Sequence, residues 1–312
     1  MSLNPITRRV GALTAIAAVG LSLAACGTDS APAEETAASS ASAETHDVVH
    51  ARGTTAVPAD PQRVVVLEPV QLDTAVALGK EPVGTTVVNE TTGVPAYLGE
   101  DAADIEQVGT VMEPSLEKIA ALEPDLIIGT ESRHSALYDQ LNDVAPTVFM
   151  ATQADPWQEN VALVAEALGD AEGASDLLAD YEARCQEIAD TYDTAGTTAQ
   201  LIRPRDTRLT LYGPISFAGS TLECTGLTIP EHEWEDISLD ISPENVLDAE
   251  ADLVLVTTDD VDDPSTMPEG ITANPEVFDN TYLVDFSYWI AGVGPHGGMA
   301  VLDDLEEILA DQ

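Results

Sequence analysis

Arg203, Arg205 and Arg208 place three of the chain's nine arginines within six residues, in a sequence whose 56 acidic residues give a formal net charge of −45. The lysines are Lys80 and Lys118, so positive charge is scarce everywhere else. A guanidinium offers fixed charge and a planar fork of donors. Such a cluster therefore suits carboxylate, catecholate or hydroxamate oxygen, and more strongly inside a cleft than in water. The same arginines could instead balance nearby acids such as Asp206. Arg133 is a candidate counterpart in the first half of the chain. Tyr212, Phe217, Tyr288 and Trp289 could form the aromatic wall that a large flat ligand needs, with Trp289 the foremost choice. The strongly acidic balance excludes nucleic acid as a partner.

Other residue types point elsewhere. His134, His232 and His296, if they converged, could hold a bare zinc or manganese ion. Their spacing forms no tight motif, and His296 sits in Gly294-Pro295-His296-Gly297-Gly298, which reads as a flexible stretch. Asp259-Asp260-Val261-Asp262-Asp263 lacks the glycine and the ligand spacing of a calcium loop and reads as a solvated acidic turn. Cys185 and Cys224 are equally compatible with a disulfide and with two separate thiols. No Gly-x-Ser-x-Gly elbow is present, so the residues favour binding over catalysis and no cofactor is expected.

The elements that must position these groups follow from a repeat. Ser115 to Thr130 reads SLEKIAALEPDLIIGT and Ser242 to Thr257 reads SPENVLDAEADLVLVT. At one fixed offset Ser115/Ser242, Glu117/Glu244, Glu123/Glu250, Asp125/Asp252, Leu126/Leu253 and Thr130/Thr257 are identical. In the first copy Ser115 can cap a helix with Leu116, Ile119, Ala120 and Leu122 on one face, Pro124 stops it, and a buried strand follows. Helix and strand alternate through both halves, which predicts largely parallel sheets. Ala171 to Tyr192 keeps helical periodicity throughout and joins the halves. The expectation is an α/β protein of two related lobes linked by one long helix, not a single large sheet.

Ahead of the lobes, Arg8 and Arg9 precede the apolar run Val10 to Leu21, too short to span a bilayer, and read as a signal peptide over residues 1–25. A linker poor in bulky apolar residues is expected over 26–50, the first lobe over 51–168, the joining helix over 169–196 and the second lobe over 197–312. Beyond strand ends, where open α/β sheets bind ligands, lie Glu68 and Pro69, Glu131 to His134, Arg203 to Arg208, Tyr212 to Phe217 and Phe286 to Trp289.

Leu23-Ala24-Ala25-Cys26-Gly27 resembles the lipobox of bacterial lipoproteins. The stretches Arg63 to Thr85, Gln107 to Thr110, Ser115 to Gly129, Arg203 to Gly226, and Trp289 with Val301 to Leu305 resemble the lipid-anchored solute-binding proteins of ABC importers for ferric siderophores, haem and cobalamin. The Arg203 to Gly226 segment is most similar to the actinobacterial ferric-siderophore branch. The resemblance implies a monomer held by acylation of Cys26 on the outer face of the cell membrane, with a ferric siderophore as ligand. It also implies docking of Glu117 and Glu244 onto arginines of a permease dimer. Haem, cobalamin or metal-ion carriers of the same fold, or a ligand sensor, are the alternatives.

Overall fold

The computed structural model describes residues 44–153 and 156–312; the signal segment, Cys26 and the linker as far as residue 43 lie outside the described residues. Order begins earlier than the linker boundary expected at residue 50. Strand β1 (Thr45–His50) pairs antiparallel with β2 (Gly53–Pro58). The buried His50 ring ties this hairpin to the first lobe, its Nδ1 accepting from the Phe149 N–H at 3.1 Å.

The first lobe runs β3 (Val64–Val66), α1 (Pro69–Ala77), β4 (Gly84–Val87), β5 (Glu106–Thr110), α2 (Leu116–Ala121), β6 (Leu126–Thr130), α3 (Glu131–His134), α4 (Tyr138–Asn142) and β7 (Thr147–Met150). Its sheet order is β5-β4-β3-β6-β7 and every pairing is parallel. All five residues of β6 are buried, as expected for a strand covered on both faces. Helix α5 (Trp157–Ala167) leads into α6 (Ala171–Tyr192), the joining helix, whose N-terminus is capped by Asp170 accepting from the Gly173 N–H.

The second lobe runs β8 (Ala199–Arg205), β9 (Arg208–Tyr212), α7 (Phe217–Cys224), β10 (Ser238–Ile241), β11 (Leu253–Thr258), α8 (Glu269–Thr272), β12 (Thr281–Asp285), α9 (Phe286–Trp289) and α10 (Pro295–Ala310). Its sheet, β10-β9-β8-β11-β12, is mixed rather than largely parallel, because β8, β9 and β10 pair antiparallel. The register brings Arg205 opposite Arg208, so Arg203 to Arg208 form a hairpin and do not follow a strand end.

The repeat occupies equivalent places. β6 and β11 each lie fourth in their sheets, flanked by the parallel pairs β3/β7 and β8/β12. Asp125 accepts from the backbone N–H groups of Gln62 and Arg63, and Asp252 from the N–H of Thr198. Each carboxylate thus pins the start of the neighbouring central strand, a structural reason for the shared Asp. The helices differ: Ser115 caps α2, but Pro243–Ala249 is a 3-10 turn broken at Asn245, without a side-chain cap.

One apolar cluster spans the join. Tyr181, Cys185 and Ile188 of α6 pack with Val70 of α1, Trp157 and Val161 of α5, and Leu302 of α10. Cys185 and Cys224 are disulfide-bonded, fastening α6 to α7 and deciding what the sequence left open. The Gly294–Gly298 stretch is the start of α10, not a flexible loop. A Cβ on Gly297 would lie 1.6 Å from the Gly292 carbonyl oxygen, and Gly294 has φ +148°. These glycines permit close approach and an unusual backbone turn.

Candidate functional site

A cleft of about 800 Å³ lies between the lobes, in the size range of small-molecule sites. In the first lobe all five parallel strands deliver a residue to it just past their C-terminal ends: Glu68 after β3, Val88 after β4, Met112 after β5, Arg133 after β6 and Gln153 after β7. This is where the strand-end rule puts a ligand. In the second lobe the lining comes from Arg203 on β8, Tyr212 on β9, the Ile215–Phe217 turn and Phe286 after β12. Trp157 at the start of α5 also faces the cleft.

The candidate arginines separate. Arg203 lines the cleft, its guanidinium carbon 4.4 Å from the Phe286 ring centroid, a cation–π geometry that holds the fork in place. Arg205 and Arg208 do not line it. Arg205 donates through Nε to Thr210 Oγ1 at 3.0 Å, and Arg208 pairs with Asp240 at 3.1 Å. The split is one of position along the hairpin: Arg205 and Arg208 lie opposite each other at its turn, two residues further along β8 than Arg203, where Thr210 and Asp240 engage them. Arg133 enters the cleft from the first lobe, donating to Gln153 Oε1 at 3.0 Å and lying 3.2 Å from Glu68 Oε1.

The aromatic candidates separate too. Tyr212 and Phe217 line the cleft, and Phe217 meets Trp157 edge to face. Tyr288 does not line it; its hydroxyl donates to Asp304 and its ring packs edge-on against Tyr97. Trp289 borders the cleft but is fully buried in the second-lobe core, its indole N–H donating to Asp304 at 2.9 Å. It supports the wall from behind and offers no surface to a ligand. Val88, Met112, Gln153 and Trp157 were not singled out from the sequence. The strand-end rule applied to β4, β5 and β7 would have found the first three.

Two buried carboxyls stand at the join. Glu68, 2% exposed, is pushed up to about 7 by burial, against the pull of Arg133 and a Thr130 hydrogen bond. Asp73 of α1 is fully buried and also pushed up to about 7 by burial, although three donors pull it the other way. Those donors are the backbone N–H groups of His296 (2.9 Å) and Gly297 (2.8 Å) at the start of α10, and the Tyr97 hydroxyl (3.0 Å). A first-lobe carboxylate therefore caps a second-lobe helix.

The histidines do not converge. His134 is buried, accepting from the Thr130 N–H through Nδ1, with Nε2 2.8 Å from the Val111 carbonyl oxygen, and burial lowers its pKa. His232 packs against Trp234, and His296 opens α10. Among the described residues no group of three or more His, Cys, Asp or Glu side chains is arranged to hold a metal ion. Asp259–Asp263 forms a local turn in which Asp260 and Asp263 accept from nearby backbone N–H groups.

Residues 64–280 match the periplasmic binding protein family. The chain belongs to that family. As a periplasmic binding protein it is a solute-binding protein and not an enzyme, with two α/β lobes. It is 32% identical over 290 residues to the probable siderophore-binding lipoprotein YfiY of Bacillus subtilis, the match covering 85% of this chain and 88% of that one. A crystal structure of Staphylococcus aureus SirA complexed with staphyloferrin B has TM-score 0.72 at 28% identity, covering 85% of this chain and 99% of SirA. A periplasmic solute-binding protein from Mycobacterium smegmatis shares the fold, with TM-score 0.73 at 24% identity over 86% of this chain and 98% of that one.

Proposed function

We propose that this periplasmic binding protein captures a ferric siderophore in the inter-lobe cleft and delivers it to an ABC importer. The observation that carries the reading is the cleft itself: a largely apolar cavity with Arg133 and Arg203 contributed by opposite lobes. A ferric chelate is bulky, partly apolar and rich in oxygen donors, so it needs wall area and a few cations, not a bare-metal ligand set. The relatives named for siderophore binding point the same way.

Delivery is assigned to Glu117 and Glu244. Both are exposed, one on each lobe, and among the described residues neither has an ion-pair partner. Asp125 and Asp252, by contrast, have structural work that explains their repetition. A carboxylate in a helix's first turn gains from the dipole, but this accounts poorly for Glu244, whose turn is a broken 3-10 segment. Docking onto permease arginines accounts for both. Acylation of Cys26 is the proposed tether, holding the lobes outside the membrane.

The test is to titrate the chain from Gly27 onward with ferric catecholate, ferric hydroxamate, ferric citrate, haem, cobalamin and zinc while following tryptophan fluorescence. Trp157 on the cleft wall provides the signal. Saturable quenching by a ferric chelate supports the reading. A response confined to zinc, haem or cobalamin refutes it.

A further inference from the structure

Among the described residues, the charged side chains lining the cleft are two cations, Arg133 and Arg203, and one anion, Glu68. Glu68 is the odd member. Its Oε1 is buried without a hydrogen-bond partner, and although Arg133 Nε lies 3.2 Å away, that N–H is directed to Gln153 instead. A buried carboxylate oxygen without its full set of donors is costly to keep, and nothing in the local fold requires it. Glu68 precedes the Pro69 that opens α1, and its side chain makes no capping bond there. The groups facing it are the Arg133 guanidinium, a first-lobe neighbour, and the Thr130 hydroxyl.

The rest of the cleft fits this charge balance. Its rim carries Met112 and Ile215, 71% and 63% exposed, with Val88 beside them. Arg203 stacks on Phe286, leaving the edge of its fork for one oxyanion. The described residues of the cavity therefore offer one uncompensated positive charge and a broad apolar wall. A polyanionic chelate would bring its excess charge against a desolvated carboxylate, whereas a neutral or singly negative one would not.

Resting on the ferric-chelate reading, we propose that Glu68 is the charge-selecting residue of the cleft: it offsets Arg133, so the cavity prefers ferric chelates of low net charge with extensive apolar surface over polyanionic ones. This is selection by repulsion, in which a wrong partner is excluded by a like charge held out of water. A carboxylate held near neutral acidity by burial is ionised at mildly alkaline pH, and the repulsion is fullest there.

The experiment uses the full chain in detergent at about pH 8, with two synthetic ligands, a triply negative ferric tris-catecholate and a neutral ferric trihydroxamate. Dissociation constants are measured for wild type, Glu68→Gln and Glu68→Asp. Expected is a shift of the affinity ratio toward the tris-catecholate by at least about tenfold in Glu68→Gln, the order of one like-charge contact, and a ratio nearer wild type in Glu68→Asp, which keeps the charge. Circular dichroism and the melting temperature establish that each variant is folded. Should a variant not fold, the wild-type ratio from about pH 6.5 to about pH 8.5 decides, with the tris-catecholate losing ground as Glu68 ionises. An unchanged ratio, or equal weakening of both ligands in Glu68→Gln, overturns charge selection while leaving siderophore capture standing. Absence of binding to either chelate by wild type overturns both.

Discussion

Replacing Asp73 with alanine removes the acceptor that joins the lobes through α10. Three donors lose their partner: the His296 and Gly297 N–H groups and the Tyr97 hydroxyl. Gly297 is buried, so water cannot readily replace the lost bond. At about 1 kcal/mol for each neutral hydrogen bond, the cost near pH 5 is about 3 kcal/mol. The pH dependence has a definite sign. The folded-state pKa of Asp73 is raised to about 7 from 3.8, so the folded protein holds a proton that the unfolded chain has released. Stability from this group is therefore present at acid pH and is lost as pH rises from about 4 through about 7. At 1.36 kcal/mol for each pKa unit, the destabilisation by Asp73→Ala shrinks by about 2 to 3 kcal/mol between pH 5 and pH 8. Urea unfolding of wild type and variant at both pH values measures it. A loss below about 1 kcal/mol at pH 5, or one that grows with pH, would refute the reasoning, the latter because the three donors would then outweigh burial.

Four further outcomes are expected. Arg203→Ala weakens a ferric chelate by about 1.5–3 kcal/mol, the scale of a charged hydrogen bond, while Arg208→Ala, paired with Asp240 and away from the cleft, leaves affinity within about 0.5 kcal/mol by the same titration. Glu117→Ala combined with Glu244→Ala abolishes iron-chelate uptake by cells with no loss of ligand affinity; normal uptake removes the docking assignment. Cys185→Ser, which opens a bridge between residues 39 apart, costs about 4 kcal/mol by loop-closure entropy, read by urea unfolding without reductant. Gly294→Ala lowers the melting temperature, because its Cβ would fall 2.4 Å from the Asp73 carboxyl in a backbone conformation that favours glycine.

Much of the first lobe was legible because its elements are local. Ser115, Pro124 and the apolar spacing between them specify a helix end to end, and Val64–Val66 and Thr147–Met150 are short β-branched or apolar runs. The second lobe was less so. The β8–β9 hairpin turns at Asp206-Thr207, which lacks the glycine or asparagine signature of a tight hairpin, so its arginines read as a single cluster although Arg205 and Arg208 sit at the hairpin end, beyond Arg203, and bond to Thr210 and Asp240. Strand β1 was hidden because its inward positions Val48 and His50 flank an exposed Val49, which breaks the apolar/polar alternation, next to a low-complexity stretch. Trp289 misled for a different reason: an aromatic after a strand can face a cleft or the core, and its buried hydrogen bond to Asp304 is a long-range partner that no local pattern reveals. The same holds for Asp73 and Gly297, more than two hundred residues apart in sequence and in hydrogen-bond contact.

Anomalous scattering of iron in crystals grown with a ferric siderophore tests whether a ferric chelate sits between the lobes against Arg133 and Arg203. One strong iron peak is expected in the inter-lobe cleft, with chelate oxygens within hydrogen-bond distance of the Arg203 guanidinium. Iron bound elsewhere, at a histidine or in the Asp259–Asp263 turn, or a cleft without iron while the solution binds it, would contradict that placement.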